Sequence, residues 1–236
     1  MRESLFLVSK EQLFMFNSYH LFTINIIFSI SVGFCILIYK FIYPKRTPNV
    51  LMLLFVISFL PIISILRKGT YESGDLATHT AFTINFYENL KNGILMPTWA
   101  SQLCGGYGCP LFEFLYPLPF YISSFFHAIG FSFLSSTKLL LISSYMALGF
   151  TMYFWVKDQF GKTAGFVAAI FYLFAPYHLL DLHYRASVGE VLSFVFIPLV
   201  FLFARKIIVS PKLIWIVLEA VSIAMLVNKS RYISEY

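Results

Sequence analysis

Between Ala175 and Glu190 the chain reads Ala-Pro-Tyr-His-Leu-Leu-Asp-Leu-His-Tyr-Arg-Ala-Ser-Val-Gly-Glu. Five ionisable side chains (His178, Asp181, His183, Arg185, Glu190) and two tyrosines (Tyr177, Tyr184) crowd positions 177–190. Charges beside an apolar span are costly unless paired or turned to water, so a connection that only reversed the chain would not need them. Arg185 offers a planar fork of donors that matches phosphate oxygens. Asp181, His178 and His183 could relay protons or orient a sugar, and Glu190 is the natural partner of Arg185. The rival reading is a salt-bridged helix junction without chemistry, and the residues alone weigh the two equally.

A second grouping, Ser73-Gly74-Asp75-Leu76-Ala77-Thr78-His79, follows an apolar stretch directly. Asp75 and His79 are spaced i, i+4 and share a face if a helix begins early. They could serve as a catalytic base or a metal-ligand pair. The plainer alternative, favoured by spacing alone, is an aspartate satisfying free N–H groups at a helix start. The third grouping, Cys104-Gly105-Gly106-Tyr107-Gly108-Cys109-Pro110, lacks the Gly-Lys-Ser/Thr that would complete a phosphate-binding loop. Two cysteines without a second ligand pair are a weak zinc signal, and a local disulfide forms only in an oxidising compartment. A compact turn that sets Trp99 and Tyr107 near a membrane surface is the favoured reading.

The elements that must position these groups are apolar. Of the 236 residues 59% are hydrophobic and 12% charged, with mean hydropathy +0.78. A soluble domain carries about 25% charged residues, which excludes a soluble enzyme, a disordered tail and a nucleic-acid module. The net charge of +6 fits Lys and Arg gathered beside membrane spans. Three cysteines do not make a disulfide framework. Six stretches read as spans: 21–39, 49–66, 138–156, 163–179, 189–204 and 213–228. The first is not a cleavable signal peptide, because Lys40, Lys45 and Arg46 follow it rather than a cleavage site.

A seventh stretch, 110–134, is broken by Pro110, Pro117 and Pro119 and carries Glu113 and His127. Charge decides its placement. If it does not cross, the loops 40–48, 157–162 and 205–212 share one face and hold eight Lys/Arg against the single acid Asp158. The positive-inside rule favours that arrangement. It makes 110–134 interfacial and puts loop 67–137 and turn 180–188 together on the extracytoplasmic side. Residues 78–95 read as an amphipathic helix lying in the headgroup layer. The expected fold is all-α, a polytopic membrane bundle of six transmembrane helices with amphipathic interfacial helices in a large first extracytoplasmic loop.

The order of these features is specific in combination. Gly-Asp-x-x-x-His (74–79) precedes an amphipathic helix and Gly-x-x-x-Pro-x-Trp (93–99), then a Gly/Pro-rich aromatic loop and Ala-Pro-Tyr…Asp…Arg…Glu (175–190). Over residues 49–228 this resembles the bacterial membrane proteins called 6-pyruvoyl-tetrahydropterin-synthase-related, which look like members of the GT-C superfamily of polyprenyl-phosphate-dependent glycosyltransferases. The resemblance implies a single membrane domain over 1–236: an N-terminal segment and extra span (1–48), a GT-C-like module (49–228) with extracytoplasmic loop 67–137, and a tail (229–236). Members usually carry more spans, so the early stop at Tyr236 reads as a truncated product or fragment. The pterin part of the name has no support here, since no His-x-His pattern is present.

The resemblance further implies an essential acid in the first large outer loop, matched by Asp75, and a lipid-phosphate grip, matched by Arg185. Sugar transfer from a polyprenyl-phosphate donor would use Asp75 as base, with His79, Trp99, Tyr177, His178, Asp181, Arg185 and Glu190 lining the substrates. No cofactor is implied and the spacing requires no metal. The partners are the donor lipid and the bilayer, not nucleic acid, and the location is a bacterial cytoplasmic membrane, multi-pass, with the active face outward. Two rivals remain: a transporter or flippase for a lipid-linked sugar, for which Glu219 lies within a span, and an inactive truncated protein.

Overall fold

The computed structural model describes residues 18–43 and 49–227. The cations expected at Lys45 and Arg46, the side chain of Lys40 and the tail 229–236 lie outside the described residues or side chains. What is described is helical, without a strand; one isolated bridge joins Ala100 to Cys109. The principal helices are α1 (Ser18–Ile42), α2 (Val50–Ser58), α3 (Leu76–Lys91), α4 (Leu118–Ala128), α5 (Phe133–Leu173), α6 (Val188–Val209) and α7 (Leu213–Val227). Of these, α5 and α6 are long and apolar enough to cross a membrane, and Thr23–Tyr39 and Leu213–Val227 are shorter apolar helices.

The stretch 49–66, read from sequence as one span, is broken. Asn49 caps α2 by accepting from Leu51 N–H at 3.0 Å, but the helix stops at Ser58, and a 3-10 turn resumes only at Ile63–Leu66. Pro61, which has no N–H to give, lies in the gap. Asn25 of α1 serves the freed backbone: its Nδ2 donates to Pro61 O at 3.1 Å and its Oδ1 accepts from Ser64 N–H at 3.2 Å.

Helix α5 is two arms rather than one rod. Gly161 sits at φ 87°, ψ 175°, a backbone state open almost only to glycine, and divides 133–160 from 162–173. The arms then run back along each other. The Tyr145 hydroxyl donates to Leu173 O, and a Cβ on Gly165 would lie 2.8 Å from Tyr153 O. The reversal at Gly161 falls within the connection 157–162 expected between two apolar stretches. The hairpin packs on α6, α2 and α4. Its core includes Leu54, Leu76, Leu141, Tyr145, Leu173 and Val191.

The lobe formed by residues 76–128 has its own core of Phe86, Ala100, Phe112 and Phe120. Its helix α4 has 11 residues, a rise of about 16 Å, too short to traverse about 30 Å of hydrocarbon. Helix α3 spans Leu76–Lys91, beginning and ending earlier than the expected 78–95. It is wedged against α4 and α5, and its polar side chains strap the following loop. Asn85 Oδ1 accepts from Gln102 N–H at 2.9 Å, Asn89 Nδ2 donates to Trp99 O at 2.9 Å, and Gln102 reaches Glu88. Cys104 and Cys109 are joined as a disulfide that closes this loop.

Candidate functional site

The segment leading into α3 and the α5–α6 junction meet through main chain. Gly74 N–H donates to Tyr184 O at 2.8 Å and Asp75 N–H to Arg185 O at 2.9 Å. The Tyr71 hydroxyl, buried, donates to Leu182 O at 2.8 Å. These bonds seat residues 71–75 on residues 182–185, although more than a hundred positions separate the two segments in sequence.

Asp75 is the N-cap residue of α3, yet its side chain makes no capping bond. The plainer sequence reading, a carboxylate spent on a helix start, is therefore not what it does. Its carbonyl accepts from His79 N–H at 2.8 Å, while the carboxylate is half-exposed. His79 is buried, its Nδ1 without a hydrogen-bond partner and its ring against Phe82 and Phe120 at 6.0 and 6.3 Å. Burial lowers its pKa, and the Asp75 charge opposes that shift.

The junction carries the denser network. Residues Asp181–Arg185 form a π-turn, a wide turn that recurs at functional positions. The turn closes at buried Ala186, left-handed at φ 53°. It brings Asp181 and Arg185 to one side. Arg185 donates to Asp181 Oδ1 at 2.8 Å, to Glu190 Oε1 and Oε2 at 2.8 and 2.9 Å, and to the Tyr177 hydroxyl at 3.1 Å. Tyr177 in turn donates to Glu190 at 2.7 Å. Burial, with Glu190 beside it, pushes the Asp181 carboxyl up to about 6. The Arg185 guanidinium is held charged by Glu190.

Tyr116, which the sequence reading passed over, completes the group. Its ring stands against Gly189, where no Cβ would fit, and its hydroxyl takes a bond from the Gly189 main chain. Burial first, and then the charge of Glu190, push its phenol up to about 12; Asp75 and Arg185 act on it more weakly. Tyr116 thus senses both halves of the site. A tyrosine between Leu115 and Pro117 reads in sequence as part of a turn, and only Gly189, a gap of the right size, marks its destination.

Three expected residues go elsewhere. The His178 Nδ1–H donates to Tyr172 O at 2.6 Å and its ring packs on Phe194 with centroids 4.0 Å apart. It finishes the end of α5. His183 turns toward Pro61 and lines a cavity of about 240 Å³ with Asn25 and Leu179. Trp99 stays with the disulfide loop, its indole filling the space above Gly108.

The cluster therefore holds Asp75, Tyr116, Tyr177, Asp181, Arg185 and Glu190. Asp181 and Glu190 pair with one guanidinium, two tyrosines add hydroxyls, and Asp75 joins through its main chain. Such a site orients and deprotonates hydroxyl groups well. Arg185 already carries two carboxylates, so an incoming phosphate must displace or protonate one of them. Among the described residues no group of three His, Cys, Asp or Glu is arranged to hold a metal. No family model, curated protein or solved structure matches the chain.

Proposed function

We propose that this chain is a membrane glycosyltransferase-like protein that transfers a sugar from a polyprenyl-phosphate donor to an acceptor on the extracytoplasmic face of a bacterial cytoplasmic membrane. Six crossings and an outward-facing loop 67–137 belong to this proposal. The observation that carries it is the pair of main-chain bonds from Gly74 and Asp75 to Tyr184 and Arg185, which seat Asp75, its side chain not spent on capping, next to the segment that carries the Asp181–Arg185–Glu190 network. A donor lipid keeps its phosphate at headgroup depth, so the base and the charge-bearing network must share that depth.

Asp75 acts as general base on the acceptor hydroxyl. Tyr116 and Tyr177 orient hydroxyls beside it. Arg185 stabilises the departing lipid phosphate, exchanging one of its carboxylate contacts for the phosphate as it approaches. Replacing Asp75 by Asn keeps shape and removes the base. Transfer of labelled sugar from a polyprenyl-phosphate donor in membranes should fall at least about a hundredfold, with insertion and abundance unchanged. Undiminished transfer removes Asp75 from the reaction. Movement of an intact lipid-linked sugar across vesicles, without chemical change, replaces the reading with transport, for which Glu219, facing the Ala204 main chain from within α7, is the supporting feature.

A further inference from the structure

A second site lies away from this cluster, where α5 begins. Arg67, Lys68 and Lys138 stand around a cavity of about 420 Å³ between residues 65–69 and the first turns of α5, and its wall contains no acidic residue. Lys138 is buried, and its ammonium donates to Arg67 O and, at 3.0 Å, to Gly69 O. Those two bonds fold the Arg67–Lys68 segment over the end of the helix and fix the lysine at the cavity wall. Apart from Gly69 and Ser135 the rest of the lining is apolar, with Phe131, Leu134 and Ile142 prominent.

The two halves of the lining select different parts of a ligand. Cations at close quarters draw a phosphate, to which arginine and lysine form charge-assisted bonds. A free anion gains nothing from the apolar wall, and a plain hydrocarbon gains nothing from the charges. The end of a helix of membrane-crossing length lies at headgroup depth, where molecules with both parts are abundant. We infer that this cavity binds the phosphate headgroup of an anionic lipid, with the first acyl carbons along Phe131, Leu134 and Ile142. The site needs only that the chain reside in a bilayer and does not depend on sugar transfer.

The test is native mass spectrometry of the full chain in mild detergent, titrated separately with phosphatidylglycerol, phosphatidylcholine and inorganic phosphate. Phosphatidylglycerol should remain as a one-to-one adduct. The double substitution Arg67→Gln, Lys68→Gln should weaken that adduct at least about tenfold, the loss expected for one charge-assisted bond. Leu134→Trp, which fills the apolar part and keeps every charge, should weaken it as well. Lys162→Gln with Lys212→Gln removes the same charge at distant loops and should leave the adduct intact. Equal retention of phosphatidylcholine, or undiminished binding by the Arg67/Lys68 variant, would overturn the inference. Displacement by inorganic phosphate alone at similar concentration would also sink it, assigning the cations to a soluble anion.

Discussion

At the scale of single residues, burial decides protonation more than sequence neighbours do. Burial pushes the His183 imidazole down from 6.5 to about 4. Between those values the unfolded chain takes up a proton that the folded chain refuses, so stability at this residue falls as pH falls from 6.5 to 4. Asp181 works in the opposite sense. Its carboxyl, raised from 3.8 to about 6, holds a proton more tightly when folded, and that contribution is lost as pH rises through the window. Replacing His183 with Gln should remove the acid-sensitive half and leave the other. On acidification from pH 7 to 5 the thermal midpoint of the wild-type chain should therefore drop relative to the variant. Parallel midpoint curves would mean that His183 titrates normally.

At the scale of elements, two glycines make the α5 hairpin. Gly161 supplies the reversal and Gly165 the close approach, since a Cβ there would press on Tyr153 O, a main-chain atom that cannot step aside. Gly165→Ala should destabilise by about 1–3 kcal/mol through overpacking. Gly33→Ala on α1, where a Cβ meets nothing within 4 Å, should be neutral or slightly stabilising. Thermal midpoints of the two variants in the same detergent make the comparison; equal shifts would argue against a tightly packed hairpin. Element boundaries also show what propensity alone cannot give. Nothing in 49–66 but Pro61 hints that the helix stops at Ser58, and the break persists because Asn25, distant in sequence, serves the freed backbone.

For the whole molecule, the charges mark two ends. Asp158 in the α5 bend binds Arg205 at 2.7 Å and also Lys206, both at the far end of α6, while the carboxylate cluster lies at the other end beside Ser187 and Gly189. If the chain crosses a membrane as proposed, these ends face different compartments. Single cysteines placed at exposed Tyr184 and Tyr107 should react with an impermeant thiol reagent from outside, and one at Lys162 only after the membrane is opened. Labelling of position 184 from the inner side would separate it from the outer compartment and remove the proposed reaction there. The same experiment reads the disulfide: Cys104 and Cys109 should resist alkylation until reduced.

The sequence by itself determined the apolar, all-helical character, the interruption of 110–134 by proline, the turn at 157–162 and the pairing of Arg185 with Glu190. Each follows from composition or from residues a few positions apart, where spacing fixes who can meet. Tertiary structure alone decided that Asp75 docks on Arg185, that Tyr116 fits against Gly189, and that His178, His183 and Trp99 turn away. Those outcomes depend on contacts between segments tens of residues apart and on which main-chain groups each segment leaves unpaired. The release of Asp75 from capping, the strap of α3 across its loop and the rescue of the 58–63 break by Asn25 all arise that way. A one-dimensional pattern records which side chains are polar, and packing chooses which of them is left over for chemistry.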